Sequence, residues 1–165
     1  MKKITYPIIS IIVLIFINAC AGYKPIYTTD SQLQFRIADY SIKSNKKLGK
    51  QIYSKLYNLS KLSENDPEVI NVNITVDTTK DKKATVKDST GKILEYRIIL
   101  NCNIMINNYL TNEEIINQNF SYSSTYKVQD QYSETIIQEN NSIENLINKI
   151  YQNLIIKMSE TMLTQ

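Results

Sequence analysis

Residues 70 to 77, which read INVNITVD, decide the fold. Isoleucine and valine fill the even positions from Ile70 to Val76, and asparagine, threonine and aspartate fill the odd ones. Successive side chains of a β-strand point to opposite faces, so this alternation predicts a strand with one apolar and one hydrated face. The polar residues 78 to 83 predict that the strand frays before it recovers at residues 84 to 86. A turn should follow near residues 88 to 91.

The next stretch continues the same pattern over a longer distance. From Leu94 to Ile106 every second residue is apolar, and the positions between them include Glu95, Arg97 and two asparagines. A strand of this length should pair with the preceding one as an antiparallel hairpin. Residues 115 to 128 predict a fourth strand, because their apolar side chains again share one parity. These side chains are Ile116, Phe120, Tyr122, Tyr126 and Val128.

Upstream of these strands the sequence predicts one more strand and a helix. Residues 34 to 43 alternate in part and predict the first strand. Ser44 and Asn45 offer an N-cap for a helix, and the Asn-Asp-Pro sequence at residues 65 to 67 predicts its end. The spacing of four, four and three residues places one apolar stripe on this helix. The stripe comprises Leu48, Ile52, Leu56 and Leu59.

A long C-terminal helix completes the pattern. Asp130 or Ser133 can cap it, and the Asn-Asn-Ser sequence at residues 140 to 142 should be its weak point. Its apolar stripe comprises Ile136, Ile143, Ile147, Ile150, Leu154 and Met158.

The element order is therefore β-α-β-β-β-α, which predicts an α+β fold in two layers. A four-stranded, mainly antiparallel sheet has one apolar face, and the two amphipathic helices should both pack on it. The opposite face is rich in Asn, Ser and Thr, with long uncharged stretches. Such a face suits burial in a polar cavity, such as the lumen of a large outer-membrane β-barrel. Codon bias in an AT-rich genome explains the asparagines equally well.

The N-terminus has the layout of a lipoprotein signal. Two lysines follow Met1, residues 8 to 17 are almost entirely apolar, and Ala19 precedes Cys20. The apolar run is short for a membrane span, and its ending resembles a lipobox. This divides the chain into a signal peptide at residues 1–19, a lipidated tether at 20–32 and a single α+β domain at 33–165. An uncleaved anchor helix is the alternative. No Asp follows Cys20, which favours the periplasmic face of the outer membrane.

Composition excludes several classes of function. Two of the 19 basic residues, Lys2 and Lys3, lie in the signal peptide, which leaves 17 against 16 acidic residues and no electrostatic case for nucleic acid. The chain has no His and only three Gly, so histidine-based nucleophile activation and a phosphate-cradling loop are excluded. We expect no enzyme activity, metal or cofactor, and an enzyme built on carboxylates alone is the remaining alternative. Cys102 should be an ordinary buried thiol.

Several segments resemble one known family. Residues 20 to 27, CAGYKPIY, resemble the Cys-Gly-Phe-x-Pro-Leu-Tyr opening of the α-proteobacterial lipopolysaccharide-assembly lipoproteins, the LptE family, with one extra residue, Ala21. Residues 48 to 59 resemble the first helix of that family. Residues 121 to 123, residues 132 to 133 and the series Leu146, Ile150 and Leu154 resemble its last strand and C-terminal helix. The chain departs from the family at Asn141-Ser142, where an acidic-Ala pair is common.

This resemblance implies a role without catalysis. Such a protein plugs the LptD β-barrel, helps that barrel to assemble, and contacts lipopolysaccharide. The residues suited to lipid phosphates would be a basic cluster around a hairpin end, since lysine is a competent phosphate binder. The cluster comprises Lys80, Lys82, Lys83 and Lys87, with Arg97 as a further candidate on the polar face. Simple solvation is the alternative reading of these charges. A pilotin or chaperone lipoprotein for another barrel or secretin is the alternative function.

Overall fold

The computed structural model describes residues 33–61 and 69–162. The predicted signal peptide, the tether and the predicted helix stop at residues 65 to 67 lie outside these ranges. The elements are β1 (Phe35–Ser44), α1 (Lys46–Ser60), β2 (Ile70–Lys87), β3 (Ile93–Asn108), β4 (Glu114–Lys127) and α2 (Tyr132–Met162). The predicted order β-α-β-β-β-α is confirmed.

The four strands form one mixed sheet in the order β1-β2-β3-β4. β1 runs parallel to β2, because α1 connects them as a crossover, while β2, β3 and β4 form two successive antiparallel hairpins. α1 packs on β1 and β2, and α2 packs on β3 and β4. The two-layer α+β prediction is therefore confirmed, with both helices on the apolar face.

The predicted fray at residues 78 to 83 is wrong. β2 is continuous to Lys87, and residues 78 to 83 pair in register with residues 102 to 97 of β3. The ladder uses backbone N–H and C=O groups, so polar side chains do not interrupt it while a regular neighbouring strand supplies partners. Only near Ala84 and Val86, close to the turn, does the register shift.

Helix α1 begins as predicted and lies very close to the sheet. The side chain of Asn45 accepts a hydrogen bond from the backbone N–H of Leu48 at 3.2 Å, which satisfies one of the helix's unpaired donors. The predicted stripe is buried along its whole length. Gly49 faces the sheet, where an added Cβ would overlap Cγ2 of Ile42. The lack of a side chain at Gly49 thus sets how closely the helix approaches β1.

Helix α2 differs from prediction at its start. It begins at Tyr132, so Ser133 lies inside its first turn and Asp130 lies before it. The buried hydroxyl of Thr135 accepts a hydrogen bond from the backbone N–H of Gln129 at 2.9 Å, which ties the first turn of the helix to the segment that precedes it. The helix also continues through residues 140 to 142. Burial of its apolar stripe outweighs a propensity cost of about 0.5 kcal/mol per residue there.

The core lies between the helices and the central part of the sheet. It contains the stripe of α1, the stripe of α2 from Ile147 to Met158, and the buried even-numbered residues of β2 from Val72 to Val76 and of β3 from Ile98 to Ile106. Ile143 packs against its margin, whereas the predicted stripe residue Ile136 is only half-buried and lies outside it. Cys102 belongs to it as a free, buried thiol, as predicted. Among the described helices, none is long and apolar enough to cross a membrane.

Candidate functional site

The sheet extends beyond its apolar cover at the end where β2 turns into β3. Leu94, predicted on the apolar face, is 40% exposed there, and Tyr96 is only half-buried. Lys80 and Lys82 share the parity of the core residues of β2, so they emerge on the helix-covered face at this end. Both reach Glu139 on α2, with Nζ to carboxylate oxygen distances of 3.1 Å and 2.6 Å.

Two tyrosines complete this cluster. The hydroxyl of Tyr126 donates to the second carboxylate oxygen of Glu139 at 2.8 Å. The rings of Tyr96 and Tyr126 stack with centroids 5.8 Å apart, and Nζ of Lys82 lies 4.3 Å from the Tyr96 centroid. The ammonium group therefore has a carboxylate on one side and an aromatic face on the other. We call Lys80, Lys82, Glu139, Tyr96 and Tyr126 the ion-pair cluster.

The electrostatics of the cluster follow from this crowding. Burial by itself would raise the pKa of Glu139, but hydrogen bonds from Lys82, Tyr126 and Lys80 outweigh it and lower the pKa to about 2. Burial works against the charge of Lys82 too, yet the bonds to Glu139 and Tyr126 raise its pKa above the ordinary lysine value. Both groups therefore stay charged at neutral pH. A carboxylate so strongly held is unsuited to general acid catalysis, which needs a pKa near the working pH.

A groove of about 650 Å³ borders the cluster and runs between the two helices. Glu139 and Glu144 line it together with Lys47, Lys55 and Lys80. Amides and aliphatic side chains fill the remaining wall, and no group of three or more potential metal-binding side chains occurs within residues 33–61 and 69–162. The groove is a mixed polar surface.

Two of the remaining predicted basic residues, Lys83 and Arg97, lie on the opposite face of the sheet, which no described element covers and which we call the open face. Lys83 of β2 and Arg97 of β3 are directly opposite each other in the ladder, and both are exposed. Like charges in this position repel. Neither forms an ion pair with a carboxylate within the part of the chain that the structure describes. Lys87 is exposed at the end of β2.

The predicted basic cluster is thus divided between two environments. Lys80 and Lys82 are held by Glu139 under α2, while Lys83 and Arg97 stand together on the open face. Lys80, Lys82 and Lys83 do lie towards the turn of the β2–β3 hairpin, but they are paired strand residues, so strand alternation decides which face each side chain takes. Cys20 and the opening motif at residues 20 to 27 lie outside the described residues.

The open face of β4 is a neutral hydrogen-bonding surface. Its outward side chains are all exposed and uncharged from Asn117 to Thr125. The amide of Asn103 donates to the side-chain oxygens of Asn117 and Asn119, at 3.1 Å and 2.8 Å, and Ser121 donates to Asn101 at 2.7 Å. Cross-strand amide and hydroxyl contacts therefore replace the charge pairs common on solvated sheets.

Nearer to β1 the open face contains unsatisfied acceptors. One side-chain oxygen each of Asn73, Asp77 and Asn107 is shielded by neighbouring groups and has no hydrogen-bond partner within the described chain. Two half-buried apolar residues, Ile99 and Met105, also lie on this face. These oxygens are available to accept hydrogen bonds from a partner.

Sequence reasoning missed Glu139, although two signals could have identified it. The residue lies three positions after Ile136 and four before Ile143, which places a carboxylate on the apolar stripe of α2. Lys80 and Lys82 continue the parity of the buried residues of β2. Charges of opposite sign on two faces that pack together predict an ion pair.

No protein-family model and no curated protein sequence matches this chain. Solved structures of similar fold include a candidate lipoprotein from Caulobacter crescentus, with a TM-score of 0.56, 9% identity and coverage of 83% of this chain and 96% of that one. A minor lipoprotein from Acinetobacter baumannii gives a TM-score of 0.53 at 15% identity, covering 78% and 93%. An uncharacterised lipoprotein B from Nitrosomonas europaea gives 0.53 at 11% identity, covering 74% and 80%. At such identities the likeness shows a shared fold.

Proposed function

We propose that this protein is an outer-membrane lipoprotein, anchored through Cys20, whose open face packs inside a β-barrel partner. Three observations support the proposal. The N-terminal sequence has the layout of a lipoprotein signal. The fold is shared with the solved structures of bacterial proteins described as lipoproteins. The resemblance to the LptE family gives the barrel as LptD and the process as lipopolysaccharide assembly.

The observation that carries the proposal is the chemistry of the open face. A barrel lumen is polar and offers donors and acceptors in many directions, so the neutral amide and hydroxyl surface that β4 presents on the open face loses little on entering it. A row of charged side chains would instead need a paired charge at every position. The shielded acceptors on Asn73, Asp77 and Asn107 are the groups expected to gain donors from a partner.

Site-specific crosslinking tests this proposal in cells. A photoreactive amino acid at Ser123, exposed on the open face, should crosslink the full-length protein to an outer-membrane barrel, which mass spectrometry then identifies. The matched control is the same probe at Lys50, exposed on α1. LptD captured from Ser123 supports the plug role, and a secretin captured there supports the pilotin alternative. Crosslinks to a barrel from Lys50 alone would show that the wrong face was assigned.

The anchoring itself predicts the behaviour of Cys20→Ser. Without the thiol no lipid can be attached, so an unlipidated precursor should accumulate with its signal peptide still present. Fractionation and mass spectrometry of the intact chain measure both effects. The Cys102→Ser variant serves as the control, because that thiol is buried in the core and should not influence processing. Normal processing and outer-membrane recovery of Cys20→Ser would refute the lipoprotein assignment.

The proposed contact with lipopolysaccharide would involve the basic residues. Lys83 and Arg97 are the better candidates, because two adjacent cations without a carboxylate are suited to a phosphate. The double variant Lys83→Gln, Arg97→Gln should weaken lipopolysaccharide binding and its salt dependence while leaving the fold intact. Circular dichroism checks the fold, and Lys46→Gln with Lys50→Gln on α1 removes the same charge elsewhere. Equal binding by both double variants would exclude this pair as the lipid site.

A further inference from the structure

The two hairpin tips of the sheet have opposite characters. The β2–β3 tip, residues 88 to 92, is polar and is flanked by Lys87. The β3–β4 tip exposes Tyr109 to 51% and Leu110 to 82%, the latter being the highest exposure of any large apolar side chain in the described residues. A single exposed leucine is common on protein surfaces. The β3–β4 tip differs from such a surface leucine in where it lies in the domain and in the hydrogen bonding of its backbone.

The apolar tip lies at the end of the domain where the chain enters. Phe35, at the start of β1, is in register with Ile70, and the neighbouring Asn71 accepts a hydrogen bond from the backbone N–H of Tyr109 at 2.8 Å. With strands about 4.8 Å apart, Tyr109 lies roughly 10 Å across the sheet from β1. Residues 20 to 32 precede the domain, and at about 3.5 Å each they span at most roughly 45 Å.

The backbone N–H groups of the tip are already paired within the protein. The N–H groups of residues 108 and 112 donate to the carbonyls of Glu113 and Asn108, both at 2.9 Å. The side chain of Asn108 accepts from the N–H groups of Leu110 and Thr111, at 2.9 Å and 3.2 Å. Every N–H from residue 108 to residue 112 thus has an acceptor inside the protein. Such a loop can leave water without stranding any of these N–H donors.

From these observations we infer that Tyr109 and Leu110 insert into the headgroup region of the bilayer to which the chain is anchored. Tyrosine suits this depth because its ring is apolar and its hydroxyl stays hydrated. Burial of one leucine side chain is too small a gain to recruit a free protein to a membrane. A tethered tip is different, since its effective concentration at the membrane is on the order of millimolar. Glu113 and Glu114 limit the depth to the first residues of the tip.

The inference rests on the proposed anchoring through Cys20, and the test keeps the two apart. The chain contains no Trp, so Tyr109→Trp introduces a unique fluorophore beside Leu110. The lipidated protein, as the cell makes it, is reconstituted on phosphatidylcholine vesicles. Flotation of the vesicles reports the anchor alone. Quenching of the tryptophan by brominated lipid tails reports the tip alone.

We expect the Tyr109→Trp emission to shift to shorter wavelength and to lose roughly half of its intensity or more on brominated vesicles, as for an indole at the membrane interface. Ser89→Trp, on the polar tip, should show neither change. Adding Leu110→Ser to Tyr109→Trp should reduce the quenching without affecting flotation. Equal quenching of the Tyr109 and Ser89 probes would overturn the inference while leaving the lipoprotein assignment intact.

If the cell-made protein does not float, the proposed anchoring fails, and the tip can still be tested. Cys20 is then coupled to a maleimide lipid in the same vesicles. Burial raises the pKa of the Cys102 thiol to about 12, so this second cysteine does not compete for the maleimide. Quenching of Tyr109→Trp under these conditions supports the membrane contact of the tip, and its absence overturns it.

Discussion

Leu100→Asp is expected to unfold the domain or to lower its melting temperature severely. Leu100 is fully buried at the centre of β3, with 0% of its surface exposed. The substitution both opens a cavity and places a carboxyl group among apolar side chains, at a cost of about 3–5 kcal/mol. A domain of this size has a free energy of unfolding of about 5–15 kcal/mol, so the loss removes much of it. Thermal and urea unfolding of the lipid-free protein measure the effect.

The neighbouring residue supplies the matched control. Asn101 lies on the open face, where its side-chain oxygen accepts a hydrogen bond from Ser121 at 2.7 Å. Asn101→Asp adds the same carboxylate one position away and keeps the acceptor, so its effect should stay within about 1 kcal/mol. Because a shift of one residue moves a side chain to the other face, the two variants together test the register of β3. Equal effects of the two substitutions would contradict the assigned faces.

The central part of the fold could be predicted from periodicity alone. The alternation at residues 70 to 77 gives the apolar face of β2, and the stripe gives the apolar face of α1. These two faces have to pack together, because a sheet with one apolar face has to be covered. Periodicity does not report backbone pairing, which is why the polar residues 78 to 83 predicted a break that is not there. Each of them lies in register with a residue of β3, and the alternate hydrogen bonds of that ladder keep the strand regular.

The candidate site was predicted less well, for a related reason. Lys80, Lys82 and Lys83 are close in sequence and predict one cluster, but alternation along the strand sends Lys83 to the opposite face. The contact of Glu139 with β2 depends on how α2 crosses the sheet, and no local pattern gives that angle. Sequence reasoning found the basic residues, whereas their division into two sites required the tertiary structure.

Glu139→Gln is expected to destabilise the domain by about 2 kcal/mol at neutral pH, because Lys80 and Lys82 then lose their shared counter-charge. Glu139 is held at a pKa of about 2, below the 4.5 of an ordinary glutamate. A lowered pKa in the folded state stabilises the protein above the unfolded value, so this contribution is complete above about pH 4.5 and is lost as the pH falls towards 2. The wild type and the variant should therefore converge in stability over that range.

Unfolding in urea between pH 2 and 7 measures this difference, and Glu160→Gln provides the comparison. Glu160 pairs with Lys157 on the same helix at 2.7 Å, but both side chains are more than half exposed. An exposed pair contributes at most about 1 kcal/mol, so Glu160→Gln should hardly change the pH profile. Replacing Lys80 and Lys82 with Met in the Glu139→Leu variant should restore stability, since an apolar set leaves no charge without a partner. A pH-independent difference between wild type and Glu139→Gln would show that Glu139 stabilises the domain through packing and not through its charge.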